Sequence, residues 1–139
     1  MTDGESDNLI GQVIAERYEV VSSIDAVGNA RVYKVKDRQD GVLRALKLIS
    51  KIQIENVELF QAEADKVKNQ IKHPGLVQLC DAGVVRPLEG EPYAYLVSDL
   101  ISGRSLYNVL NRQGRIELNE ALSIITQICQ VVKHLHATD

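Results

Sequence analysis

Apolar and polar positions alternate in short runs over the first third of this chain, then recur at intervals of three and four further on. RYEVVSSI at 17–24 and ARVYKVKD at 30–37 are rich in Val and Tyr and flank a Gly-containing turn. They predict two antiparallel strands. RQDGV at 38–42 carries an Asp-Gly pair, a tight-turn signal. VLRALKLIS at 42–50 then predicts a third strand. Its alternation sets Val42, Arg44, Leu46 and Leu48 on one face, and Leu43, Ala45, Lys47 and Ile49 on the other. Lys47 thus points with an apolar set. A lysine on the inner face of a sheet needs a counter-charge, because an unpaired buried ammonium is costly.

The segment 55–73 lacks Pro and Gly, and its Val57, Phe60, Ala64, Val67 and Ile71 make one apolar stripe of a helix. Glu63 borders that stripe and can supply the counter-charge. HPG at 73–75 stops the helix. Two more strands are predicted over 76–85 and 92–101, joined by a loop at 86–91. A turn at 102–106 leads into a short helix over 105–112, and a long helix follows over 118–139. The long helix has a wide apolar stripe, Leu118, Ala121, Leu122, Ile125, Ile128, Cys129, Val132 and Leu135, broadened by Ile124 and Val131. The order β-β-β-α-β-β-α-α predicts an α+β lobe, a five-stranded, mostly antiparallel sheet with one packed helix. The two closing helices are more apolar than that lobe can cover, so their neighbours are expected elsewhere.

The bulk numbers narrow the class of protein. The chain has 139 residues, 45% hydrophobic and 25% charged, the size and composition of one globular domain. Its net charge of −3 and the absence of a Lys/Arg cluster exclude nucleic acid as the main partner. Cys80 and Cys129 have no metal-type spacing and read as buried, reduced thiols of a cytoplasmic protein. His73, His134 and His136 are too scattered to predict a metal site. No apolar run reaches membrane-spanning length. Residues 1–8 are acidic and polar, and read as a disordered lead-in without the marks of a signal peptide.

Six stretches, in order, resemble the N-terminal half of a eukaryotic-type protein kinase, most like the bacterial Ser/Thr kinases. LIGQVIAERYEVV looks like the lead-in and first strand, and RVYKVKD like the second. RALKLI is similar to the family's V-A-I-K segment, which makes Lys47 the family's third-strand lysine. FQAEADKVKNQIKHPGLVQL resembles helix αC with its Glu, here Glu63, and the His-Pro turn. YLVSDLISGRSL resembles the fifth strand and hinge, and LHATD the end of helix αE. The resemblance implies a kinase N-lobe and hinge over 9–101, with helices αD and αE of an incomplete C-lobe over 102–139. It also implies ATP with Mg as cofactor, held by the loop, the lysine and the hinge. Lys47 and Glu63 would pair to hold the α- and β-phosphates. Val32 and Ala45 would sandwich the adenine, Ser98 would stand at the gatekeeper position, and the backbone of Asp99, Leu100 and Ile101 would form the hinge.

The Gly-rich loop departs from the family pattern G-x-G-x-x-G-x-V. With its Val at Val32, the glycine positions fall on Asp25, Val27 and Ala30, and Gly28 matches only an extra glycine that many bacterial members carry. Glycine lets backbone come close to phosphate oxygens. A β-branched Val27 resists the required conformations, and Asp25 brings negative charge toward a polyphosphate. A weakened phosphate clamp is expected, with adenine recognition retained. No H-R-D, D-F-G or A-P-E segment occurs in these residues, so the 139-residue chain alone is expected not to transfer phosphate. The expected partners are ATP, a protein substrate or docking partner, and a second copy through the apolar face of the αE helix. The alternative is a pseudokinase, a kinase-like protein-binding module with weak or no nucleotide binding.

Overall fold

A computed structural model describes residues 9–27, 30–50 and 56–138. Its elements run β1 (Val13–Ile14), β2 (Tyr18–Val27), β3 (Ala30–Asp37), β4 (Leu43–Ile49), α1 (Val57–Gln70), β5 (Leu79–Val85), β6 (Tyr93–Asp99), α2 (Leu106–Gln113) and α3 (Leu118–His136). The strands form one sheet in the order β1-β2-β3-β4-β6-β5, antiparallel throughout. One more strand is present than the five expected. β1 has only two residues, too few for alternation to register, and it folds back on β2 through a turn in which Ala15 and Glu16 take positive φ. The predicted lead-in at 1–8 lies outside the described residues.

Local chemistry sets the boundaries. The β3–β4 turn closes when the Gly41 amide donates to the Asp37 carbonyl, with Gly41 at φ 74°. The Asp40 carboxylate accepts from the Val42 amide, a side-chain turn bond of the kind that favours Asp here. α2 opens on Ser105, whose hydroxyl accepts from the Asn108 amide, and it stops at Gly114, φ 74°. β5 starts at Leu79, not 76. The preceding turn consumes its own backbone groups, Leu76 donating to the His73 carbonyl and the Gly75 amide to His73 Nδ1.

The sheet curls around a core of Tyr18, Val20, Tyr33, Val35, Leu46 and Val97, all essentially sealed from solvent, with Ile14 and Tyr95 beside them. The Tyr95 ring lies 5.9 Å from that of Tyr18, tilted by 57°, and sits across Gly83. A Cβ at position 83 would meet the Tyr95 hydroxyl at 2.6 Å, so glycine is there for space. The Tyr33 hydroxyl is buried without a hydrogen-bond partner. Replacing Tyr33 by Phe removes this unmet group and should raise stability by about 1 kcal/mol in urea unfolding. A destabilised variant would show that the hydroxyl has a partner.

The core occupies the face of β4 that carries Arg44 and Leu46. Lys47 is on the other face, and it is exposed rather than enclosed. The expectation of a buried lysine is therefore corrected. Alternation identifies two faces but not which one the curl seals. α1 packs against β5 and buries only Ala64. α3 meets the turn after α1, where the His73 and His134 rings lie 5.1 Å apart and Gly75 sits against Val131. Most of the rest of its apolar stripe is exposed. Leu118 is 71% exposed and Leu122, Ile125, Ile128 and Val132 are at least 41% exposed. Cys129 shares that exposure, against the expectation of a buried thiol, and Cys80 is half-buried. No helix among the described residues is long and apolar enough to cross a membrane.

Candidate functional site

Strand register assembles the face opposite the core. Val32 pairs with Lys47, and Lys47 with Leu96. One pleat further along, Ala45 pairs with Ser98. Directly opposed residues share a face, so Val32, Ala45, Lys47, Leu96 and Ser98 form one surface across three strands. Ala30, at the start of β3, is buried. Asp25 is exposed and pairs with Val32 across a β2 bulge, and Val27 pairs with Ala30. Only the backbone of Val27 is described here, and Gly28 lies outside the described residues.

α1 brings Glu63 to the same surface. Glu63, Phe60, Ala64 and Val67 of the helix, with Leu96 and Ser98 of the sheet, line a cavity of about 340 Å³. Leu96 connects the two halves, since it is the cross-strand partner of Lys47 and a wall of the Glu63 cavity. Lys47 and Glu63 form no ion pair within 4.0 Å. The ion pairs among the described residues all start from Arg17, Arg38 or Arg44. An exposed ammonium needs no buried partner, so hydration replaces the counter-charge that the sequence called for.

At the end of β6 the Asp99 amide donates to the Gln78 carbonyl. Beyond it Leu100 is half-buried and Ile101 exposed. Among the described residues, no turn or loop hydrogen bond engages the backbone of Leu100 or Ile101.

A charged network backs this hinge from the core side, and the sequence reading missed it. Arg17 clasps Asp37 with two bonds, Nε to Oδ1 at 2.9 Å and Nη2 to Oδ2 at 2.8 Å. Arg44 sends Nε to Asp37 at 3.3 Å, Nη2 to Asp40 at 2.7 Å and Nη1 toward Cys80 Sγ at 3.4 Å. The Tyr18 hydroxyl donates to Asp81 at 2.6 Å. Asp37 is fully buried, yet the Arg17 guanidinium holds its carboxyl down at about pKa 2, aided by the Gln39 amide and Arg44. Burial pushes the Tyr18 hydroxyl well up, and its bond to Asp81 adds to this. Burial also raises the Cys80 thiol, with Asp99 reinforcing it. One signal was available. Arg44 alternates with Leu46, so a guanidinium on the core side required carboxylates.

The surface can hold a flat apolar ring against Val32 and Ala45, with an ammonium beside it for an anionic group. Among the described residues no three His, Cys, Asp or Glu side chains are grouped to hold a metal ion.

Comparison with known proteins gives the same direction. A family model described as protein kinase domain matches residues 18–139. Calcium-dependent protein kinase 3 of Plasmodium yoelii yoelii is 32% identical over 105 residues, 76% of this chain and 18% of the relative. Serine/threonine-protein kinase PknA of Mycobacterium tuberculosis is 31% identical over 132 residues, 92% of this chain and 30% of the relative. Serine/threonine-protein kinase PrkC of Bacillus subtilis is 28% identical over 131 residues, again 92% of this chain and 19% of the relative. The chain thus spans less than a third of the length of these relatives.

Proposed function

This chain belongs to the protein kinase domain family, and on that premise we propose that its exposed sheet face binds an adenine nucleotide. The whole protein then transfers the γ-phosphate of ATP to Ser or Thr of a protein substrate in the cytoplasm. The observation that carries the reading is the register of Val32, Ala45, Lys47 and Ser98 on one face, beside a hinge with open backbone. In this reading Lys47 meets the phosphates, Glu63 closes on Lys47 when α1 moves inward, and the carbonyls and amides of 99–101 read the adenine edge. Mg accompanies the phosphates, its ligands coming from outside these 139 residues.

A second reading is favoured by the substituted loop. Asp25, Val27 and Ala30 replace all three glycines of the pattern, which weakens the phosphate clamp and suits a pseudokinase that docks proteins. Thermal melting separates the two. A ligand at a hundred times its Kd stabilises by about 2.7 kcal/mol. We expect Mg-ATP to raise the melting temperature of the wild-type chain and Lys47→Met to remove that ATP-dependent shift, with adenosine still stabilising both. Equal ATP shifts in both proteins would refute the role of Lys47. No shift with either ligand would leave the binding-module reading.

A further inference from the structure

We propose that the Asp99 side chain is a latch that fixes where the hinge leaves the sheet, with Arg44 as its anchor and Cys80 as the relay between them. Asp99 closes β6 and lies directly opposite Arg44 in the register. Its amide is already tied to β5 through the Gln78 carbonyl. Its carboxylate adds a second tie, toward β4. Arg44 Nη1 donates to Cys80 Sγ at 3.4 Å, and that thiol donates in turn to Asp99 Oδ1 at 3.4 Å. The guanidinium is itself 3.7 Å from the same oxygen.

Arg44 is a firm post for such a latch. Its other nitrogens are held by Asp37 and Asp40, and Asp37 is clamped by Arg17. Each edge of the planar fork thus has its own acceptor, a geometry that a lysine does not reproduce. The chain of contacts runs from β2 through the β3–β4 turn to the first hinge residue. It lies on the core side of the sheet, opposite the face carrying Lys47. The hinge backbone is therefore located from behind, leaving its front clear.

Asp99 is a positioning residue in this account, and its side chain is 57% exposed. Removing it leaves Arg44 with Asp37 and Asp40, so folding is not at stake. Substituting Arg44 would also take a partner from the buried Asp37 and from Asp40, which makes it a poorer probe. The consequence for affinity rests on the nucleotide reading above, so the primary readout needs no ligand. Amide hydrogen exchange at position 99, whose N–H is held by the Gln78 carbonyl, is measured relative to each variant's intrinsic rate on the unliganded chain in wild type, Asp99→Ala, Asp99→Asn and Cys80→Ala. Loss of one such tie should speed local opening by about fivefold in Asp99→Ala. Cys80→Ala should be intermediate. Asp99→Asn keeps an acceptor oxygen for the thiol and should restore slow exchange, while melting temperatures stay close to wild type. Unchanged hinge exchange in Asp99→Ala, or equally fast exchange in Asp99→Asn, overturns the latch. Adenosine titrations then give the ligand arm, with binding about fivefold weaker in Asp99→Ala and recovered in Asp99→Asn. Faster hinge exchange with no adenosine binding in wild type supports the latch and refutes the nucleotide reading alone.

Discussion

Replacing Asp37 with Ala is expected to cost about 3–5 kcal/mol of stability, read as a lowered midpoint in urea unfolding. The carboxylate is the only fully buried charge among the described residues, and it is shared by two guanidinium groups. Arg17 loses a two-bond clasp, and Arg44 loses one of its acceptors at the base of the hinge. The Gln39 amide loses its acceptor too. Arg17 is left with the longer contact to Asp81 and Arg44 with Asp40, both partly withdrawn from water, which is why this loss exceeds that of a surface pair. Asp37→Asn keeps the shape but not the charge, and should fall between wild type and Ala. A loss below about 1 kcal/mol for Ala would mean that water replaces the carboxylate.

The same group predicts acid sensitivity. An unfolded Asp titrates near pH 4, whereas Asp37 in the fold is held at about 2. A depressed carboxylate contributes stability that is full above the unfolded value and is lost as pH falls through the folded one. Urea midpoints should therefore drop between pH 4 and pH 2 in the wild type. The drop should be shallower in Asp37→Ala. Parallel curves for the two proteins would place the acid sensitivity elsewhere.

The second large effect is expected at Leu46→Ala, a loss of about 3 kcal/mol. Leu46 has no exposed surface and stands in register between Tyr33 and Val97, which are equally sealed. Three adjacent strands meet at this one side chain. The sheet cannot close over the missing atoms without moving Tyr33 or Val97, so a cavity remains. Calorimetry of the variant should show a single transition at reduced temperature. Leu46 neighbours Lys47 but points away from it, so at temperatures where the variant is folded its ligand response should match wild type. A loss under about 1 kcal/mol would show that the core collapses onto the gap.

Most elements were legible because each satisfied a local rule. Asp-Gly at 40–41 fixed one turn, His-Pro-Gly at 73–75 another, and the spacing of Val57, Phe60, Ala64 and Val67 marked α1. The face of β4 carrying Lys47 also followed from alternation. What alternation could not show is which face the curl encloses, since that depends on the bend of β2 and β3 over Tyr18 and Tyr33. The lysine was therefore expected inside when it is outside. β1 was invisible because two residues have no period. The Arg17–Asp37 clasp joins positions twenty apart in sequence and ties residues that singly look like surface charges. Glu63, expected at the border of its helix stripe, lines the cavity beside Leu96. The gap to Lys47 depends on how α1 seats on the sheet, a rigid-body position that no residue pattern encodes.

The order of the strands has a consequence for how two such chains can meet. A sheet with open edges invites a neighbouring chain to add a strand and extend it. Here one edge is β1, two residues long. The other is β5, where α1 packs alongside and the Gln61 amide reaches the Ala82 carbonyl at 3.5 Å. β1 pairs with β2 only at Tyr18 and Glu19, so past Val20 the outermost strand at that edge is β2 itself. A chain adding a strand to this sheet would therefore meet β2 past Val20, where Val21 and Ile24 are exposed, rather than the helix-flanked β5.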